Sequence, residues 1–192
     1  ESLVRLIKDE SRIPPKTVVI TFDDGYKNNF TQAFPIIKKY SIPITLFVIP
    51  NKVAKMVNED IFVSWQELIE MRDSGLVAIG SHTLDDVFLP HIKSLDELKK
   101  QIFDSKKILE QKLGRPVVLF SYPVGGFNQQ IRKMVIDAGY IGAVSTNPGK
   151  DYPDDDIYAL KRLRISSTSD NLFVFWIESS GFYLWFKEHR HK

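Results

Sequence analysis

Short apolar runs alternate with amphipathic stretches along most of this chain. The runs are rich in β-branched residues, which is typical of buried strands. They lie at residues 17–22, 44–49, 76–79, 116–120, 141–145 and 160–165. The stretches between them carry apolar residues at helical spacing, at residues 28–40, 64–74, 94–113 and 128–138. This alternation predicts an α/β fold with a parallel sheet covered by helices, either a barrel or an open sheet.

Local signals support two of these helices. Ser64 with Glu67 and Ser94 with Glu97 have the spacing of a capping box, in which each end of the motif bonds the backbone of the other. A glycine follows three of the four predicted helices, at Gly75, Gly114 and Gly139, as expected for a left-handed C-terminal cap. Residues 1–16 read as a short helix or arm, so we expect one domain over residues 1–192 with its core at about 16–170.

Composition excludes several classes of protein. The 26 basic and 24 acidic residues leave a net charge of only +2, which does not favour a nucleic-acid binder. The chain has no cysteine, so a disulfide framework, a cysteine zinc site and a thiol nucleophile are all excluded. No apolar run is long enough to span a bilayer and no signal peptide is visible. The chain begins with Glu, so we expect a trimmed or processed product.

Polar groups follow three of the predicted strands. They are Asp23 and Asp24, then His82 with Asp86 four residues later, then Tyr122 before a glycine-rich turn. The carboxyl ends of parallel strands share one face, and that face is where chemistry is placed in such folds. If residues 82–86 form a helical turn, His82 and Asp86 project from the same side. Imidazole and carboxylates together suit zinc or another divalent ion.

Structural interpretations of the same residues stay open. Asp24 followed by glycine is ordinary turn chemistry. A single histidine such as His82 is more often a capping or hydrogen-bonded buried residue than a ligand, and an aromatic such as Tyr122 is more often part of the core.

The three strand ends resemble the motifs of a known family. Residues 21–25 (TFDDG) resemble the first motif of the polysaccharide deacetylases, the NodB-like carbohydrate esterases. Residues 81–86 (SHTLDD) resemble the second, His-Ser/Thr-x-x-His, and residues 120–125 (FSYPVG) the third. Their order and spacing also fit, and the resemblance covers about residues 16–170.

The resemblance implies a fold and an activity. The fold is a distorted (β/α) barrel with fewer than eight parallel strands, about seven. The activity is the hydrolysis of N-acetyl (or O-acetyl) groups on an N-acetylglucosamine-type polysaccharide or oligosaccharide. The cofactor is one divalent ion, zinc first, with manganese, cobalt, nickel, magnesium or calcium as alternatives. Extracellular, periplasmic or cell-surface placement follows from the family alone.

The resemblance also implies roles for single residues. Asp23 corresponds to the general base, and Asp24 and His82 to metal ligands. The backbone N–H of Val124 corresponds to an oxyanion donor, and Tyr122 to an aromatic residue able to pack on a sugar ring.

The chain departs from the family at the third metal ligand, where Asp86 stands in place of a histidine. We expect Asp86 to be a ligand, to weaken the metal as a Lewis acid, and to shift the preference from zinc toward manganese, magnesium or calcium. Asp85 and, less strongly, His91 compete for the same role.

The chain also lacks the late histidine that serves the family as general acid. Arg162 or Arg164 lies in that region and could orient Asp23 or bind substrate, but neither can donate a proton at neutral pH. Ser121 stands where many members have an arginine that orients the base. His189 and His191 lie in a basic tail and are expected to be solvated.

Two other classes of function remain open. The departures at Asp86 and at the late histidine allow a deacetylase-like domain that binds glycan or metal with little or no turnover. The aromatic and basic segment 171–192 is either a closing helix packed on the barrel or a membrane-surface or partner-binding tail.

Overall fold

A computed structural model describes residues 2–15, 17–146 and 156–179 of the chain. Six parallel strands form the main sheet of this described part, and a small antiparallel hairpin lies beside it. The strands are Ile20–Phe22 (β1), Ile44–Val48 (β2), Met56–Val57 (β3), Asp60–Ile61 (β4), Val77–Ser81 (β5), Leu119–Ser121 (β6), Gly142–Ser145 (β7) and Leu160–Lys161 (β8). The order across the main sheet is β1-β2-β5-β6-β7-β8, with β3 and β4 forming the hairpin.

Helices connect these strands, as the alternation of patterns predicted. They are Ser2–Lys8 (α1), Phe34–Tyr40 (α2), Trp65–Asp73 (α3), Leu95–Lys99 (α4), Ser105–Leu113 (α5), Gln129–Asp137 (α6) and Leu172–Ser179 (α7). The capping box at the start of α3 is present, with Ser64 and Glu67 each bonding the backbone of the other. At the start of α4, the Ser94 side chain accepts a bond from the Glu97 N–H.

A single helix was predicted over residues 94–113, and the structure divides it. A π-helical segment, Lys100–Asp104, joins α4 to α5. Segments of this kind shift the side chains of one turn relative to the rest of the helix and are frequent at functional sites. Here the segment includes Gln101, which is almost fully buried beside the loop that follows β5.

The core lies between the sheet and its covering helices. Strand β2 is buried at every position because it pairs with β1 on one side and β5 on the other. Its side chains pack against apolar residues from the helices and from β6, including Phe34, Leu68, Ile102 and Phe120.

Strand β1 is shorter and more exposed than the sequence predicts. A buried strand was expected over residues 17–22, but only Ile20–Phe22 pairs with β2, and Val18 is 77% exposed. The reason is that β1 is the edge of the sheet, so one side has no neighbouring strand to cover it. The last strand, β8, is also an edge and spans only Leu160–Lys161 of the predicted 160–165.

The two edges of the sheet nevertheless meet at their carboxyl ends. Arg162, directly after β8, bonds Thr21 in β1 at 3.1 Å and Asp23 just beyond it at 2.7 Å. The sheet is therefore curled into a half-barrel, which confirms the predicted distorted (β/α) barrel.

The C-terminal segment is described only as far as residue 179. None of the residues of α7 is fully buried, but Val174, Ile177 and Glu178 are half-buried, so the closing helix over residues 171–192 stays a prediction. Residues 180–192, which include His189 and His191, lie outside the described residues. Among the helices that the structure describes, none combines the length and the apolar character needed to cross a bilayer.

Candidate active site

Four strand ends supply polar side chains to one end of the half-barrel. Asp23 and Asp24 follow β1, His82 follows β5, Ser121 ends β6, and Arg162 follows β8. Because the strands are parallel, these carboxyl ends lie on the same side of the sheet. The loop after β5 adds Asp86 to the same cluster.

Three of the predicted site residues lie at metal-binding distance from one another. Asp24, His82 and Asp86 each offer one ligand atom, and these atoms all lie within 4.8 Å of one another. His82 Nδ1 is 2.8 Å from the Ser121 carbonyl oxygen, which can only accept, so Nδ1 carries the proton. The other ring nitrogen, Nε2, faces Asp24 Oδ1 at 3.5 Å and is the atom left to serve as a ligand. A fixed imidazole tautomer beside two carboxylates is a donor set that fits a divalent ion.

The electrostatics of Asp24 also suit a cation. Burial raises the pKa of Asp24, and the charges of Asp86 and Asp23 raise it further, against the opposing charges of His82 and Lys52. A cation among these carboxylates would favour their ionised form.

A tight turn, rather than the predicted helical turn, brings His82 and Asp86 together. Residues 82–88 form no helix, and Thr83 and Asp86 have φ of 64° and 60°, in the left-handed region. The Thr83 hydroxyl accepts a bond from the Asp86 N–H at 3.1 Å and so closes the turn. Non-glycine residues adopt this conformation uncommonly, and it costs free energy that the surrounding bonds must offset.

Gln101 and Asn51 hold this turn from outside. The side-chain oxygen of Gln101 accepts from the N–H groups of Leu84 and Asp85, both at 3.1 Å. Asp85 in turn accepts from Asn51 at 2.5 Å and from the Gln101 amide at 2.8 Å. Asp85 therefore supports the loop, and it is Asp86 that joins the candidate metal ligands.

Lys52 pairs directly with Asp86. Its Nζ lies 2.7 Å from Asp86 Oδ2, with the two side chains 23% and 30% exposed. Lys52 belongs to a short helical turn, Pro50–Lys52, at the carboxyl end of β2. Asn51 and Lys52 were not predicted as site residues, although they follow a strand end just as Asp23 and His82 do.

Asp23 is held by Arg162 through two parallel bonds. The guanidinium donates to Asp23 Oδ1 at 2.7 Å and Oδ2 at 2.6 Å, and also to the Ser121 hydroxyl at 3.1 Å. Burial alone would raise the pKa of Asp23, but the bond from Arg162, with the charges of His82 and Arg162, brings it below its usual range. Of the two arginines proposed to orient Asp23, Arg162 makes the contact, whereas Arg164 is exposed.

The third predicted site segment, which follows β6, lies partly in the core. Tyr122 is fully buried, stacks on Phe127 at 4.4 Å between ring centroids, and donates its hydroxyl to the Tyr158 carbonyl at 3.1 Å. The expectation that Tyr122 packs on a sugar ring is therefore wrong, because no face of its ring reaches the surface. Val124 has φ of 56° and is 82% exposed in the turn that follows β6.

His91 is not part of the cluster. Its ring packs edge-on against Phe88 at 4.6 Å, and it is absent from the group of possible ligands among the described residues. Tyr26 is a further neighbour of the cluster that was not predicted from the sequence: burial and the nearby charge of Asp24 raise the pKa of its hydroxyl.

Comparison with known proteins gives consistent matches. The sequence model of the polysaccharide deacetylase family matches residues 10–143. YxkH of Bacillus subtilis strain 168 is 33% identical over 175 residues, which are 91% of this chain and 61% of that protein. The poly-β-1,6-N-acetyl-D-glucosamine N-deacetylase of Staphylococcus epidermidis is 28% identical over 170 residues, or 83% of this chain and 58% of that enzyme.

Solved structures agree with the sequence matches. The Streptococcus pyogenes deacetylase PplD in complex with acetate is 26% identical, with a TM-score of 0.75 over 85% of this chain and 70% of that one. IcaB from Ammonifex degensii is also 26% identical, with a TM-score of 0.77 over 90% of this chain and 77% of that one. The chain spans about three fifths of the length of the curated relatives it matches.

Proposed function

This chain belongs to the polysaccharide deacetylase family, and we propose that it is a metal-dependent hydrolase. It would remove N-acetyl groups from a polymer or oligomer of N-acetylglucosamine. The observation that carries this proposal is the convergence of Asp24, His82 and Asp86 next to an oriented carboxylate, Asp23. The name of the staphylococcal relative, a poly-β-1,6-N-acetyl-D-glucosamine N-deacetylase, supports this substrate class.

Asp24, His82 and Asp86 would hold the ion. A divalent ion at this position lowers the pKa of a bound water and polarises a carbonyl oxygen. The bond from His82 Nδ1 to the Ser121 carbonyl fixes the ring so that Nε2 stays available as a ligand atom. The turn closed by Thr83 gives Asp86 a fixed position relative to His82.

Asp23 would act as the general base. It is ionised at neutral pH because Arg162 and the other charges around it keep its pKa low. In that state it accepts a proton from the attacking water. The two bonds from Arg162 fix the carboxylate plane, so that the accepting oxygen needs little reorientation.

The backbone N–H of Val124 is the proposed donor to the developing oxyanion. Its left-handed conformation places this residue in a tight turn, Pro123–Gly125, at the carboxyl end of β6. A backbone donor fixed before the reaction stabilises the charge that develops in the transition state, and such donors each contribute about 2.7–4 kcal/mol in enzymes.

Glycan binding without turnover is the second candidate function. Apart from His82, no histidine lies beside Asp23 among the described residues, and Arg162 cannot donate a proton to the leaving amine. The lack of a general acid there favours binding without turnover. We place either activity at the cell surface, in the periplasm or outside the cell, because the family acts on glycan polymers. Cell fractionation with an antibody to the chain tests that placement.

Acetate release tests the hydrolase proposal. The chain is stripped with chelator, reloaded with zinc or manganese, and incubated with oligomers of β-1,6- and β-1,4-linked N-acetylglucosamine. We expect metal-dependent release of acetate that Asp24→Ala abolishes and the exposed-site variant Arg164→Met retains. Glycan binding by calorimetry with no acetate at any metal loading would support the second candidate instead.

A further inference from the structure

Lys52 stands at the edge of the candidate metal centre. Its ammonium forms a 2.7 Å ion pair with Asp86 and lowers the pKa of Asp24 by its charge. The ring centroid of Phe62 lies 5.4 Å from the Lys52 Nζ. The backbone of the neighbouring Asn51 donates to the Leu84 carbonyl at 3.2 Å, so the turn that carries Lys52 is tied to the loop that carries Asp86.

The charges of the site can be counted from these contacts. Asp23 and Arg162 neutralise each other through two bonds and contribute no net charge. A divalent ion on Asp24, Asp86 and a neutral His82 would form a centre with no net charge. With Lys52 beside Asp86, the same centre keeps one unit of positive charge.

We propose that Lys52 sets the net charge of the metal centre: its ammonium offsets the charge of Asp86 and keeps the loaded centre cationic. This inference rests on the proposed metal-dependent function. A cationic centre stabilises a developing oxyanion better than a neutral one, because the charges act at short range in a partly dehydrated cleft. The same positive charge opposes the entry of the metal ion.

A purely structural role for Lys52 gives the opposite result for the metal. If the ammonium served only to hold the Asp86 carboxylate in place, its removal would loosen the ligand and weaken metal binding. If the charge of Lys52 is what matters, removing the ammonium leaves the metal site more negative, and metal binding tightens. The sign of the change in metal affinity therefore separates the two roles.

The experiment compares Lys52→Met with Lys52→Arg and with Lys55→Met. Lys55 is an exposed lysine three residues away, so its substitution removes the same charge outside the pair with Asp86. Zinc alone is titrated into each chelator-stripped protein by calorimetry, and acetate release is then measured at saturating zinc. For Lys52→Met we expect zinc to bind about tenfold more tightly and kcat to fall about tenfold. Lys52→Arg and Lys55→Met should stay within about twofold of the unsubstituted chain in both measurements.

The outcomes separate this inference from the proposed function. Weaker or unchanged zinc affinity in Lys52→Met would overturn the charge role while leaving a metal-dependent hydrolase in place. Tighter zinc binding in Lys52→Met, with no acetate release by any variant, would support the charge role and remove the hydrolase proposal. No zinc binding by the unsubstituted chain would overturn both.

Discussion

Substitution of Arg162 by methionine tests how the site and the barrel depend on one ion pair. Methionine keeps much of the aliphatic length of arginine but removes the two bonds to Asp23 and those to Thr21 and Ser121. It also leaves Asp23 in a partly buried position without its counter-charge. We therefore expect lower stability and a raised pKa for the Asp23 carboxyl.

The size of the effect follows from the exposure of the pair. Removing one partner of a fully buried ion pair costs about 3–5 kcal/mol. Here the side chains of Arg162 and Asp23 are 14% and 28% exposed, so water compensates part of the loss. A free-energy change of about 2–4 kcal/mol is expected. For a domain of this size each kcal/mol lowers Tm by about 2–4 °C, so a fall of roughly 5–15 °C should be seen.

The effect must also depend on pH with a definite sign. Because the pKa of Asp23 is lowered in the folded state, the pair stabilises the protein above the unfolded-state value of about 3.9. That stabilisation is lost as the pH falls through the lower, folded-state pKa. The difference in stability between the two proteins should be full at pH 7 and shrink in strong acid, where only the bonds of Arg162 to Thr21 and Ser121 still distinguish them. In the variant, the acidic limb of the kcat/KM profile should move to higher pH.

Urea unfolding at several pH values, with Arg164→Met as the control, measures these effects. Arg164 is exposed, so its substitution should change the free energy of unfolding by less than about 0.5 kcal/mol. Arg162→Lys should fall between the two, since lysine keeps the charge but not the parallel bonds. The reasoning is refuted if Arg162→Met is no less stable than the control at pH 7, or if its deficit persists unchanged in strong acid.

Three further substitutions test other parts of the structure. Gln101→Leu leaves two backbone N–H groups of the Asp86 loop without their acceptor, so we expect a loss of about 1–3 kcal/mol and severalfold weaker zinc binding by calorimetry; unchanged zinc affinity would show that the loop needs no such support. Tyr122→Phe removes one buried bond to the Tyr158 carbonyl and should cost about 1 kcal/mol in urea unfolding with KM unchanged, whereas a raised KM would mean that the hydroxyl contacts substrate. Gly80→Ala places a Cβ 2.5 Å from the buried ring of Phe47 and should lower the free energy of unfolding by about 1–3 kcal/mol; a neutral result would mean that the ring has room to move.

Much of the fold could be predicted because its signals are local. Capping residues, glycine caps and apolar periodicity mark where helices and strands alternate, and the ends of the strands located Asp23, Asp24 and His82. Exposure of β1 could not be read in this way, since an apolar run does not reveal whether it lies at the centre or the edge of a sheet. The burial of Tyr122 depends in the same way on which residues surround it.

Local sequence patterns could not predict the roles of the residues that support the site. Gln101 is a polar residue in a helix, and only the π-helical segment and the packing of that helix bring it to the Asp86 loop. Lys52 is one of many lysines, and its role follows from a contact with a residue 34 positions away. Long-range charge contacts of this kind leave no periodic trace in a sequence.

The bond between Arg162 and Asp23 has a consequence for the choice of an inactive variant. Replacing the base is the usual way to trap a substrate on an enzyme, but here Asp23 also joins the two open edges of the sheet through Arg162. Asp23→Ala would disable the chemistry and also weaken the contact between the two sheet edges, which the bond from Arg162 to Thr21 would then hold alone, so its failure to capture a glycan would have two explanations.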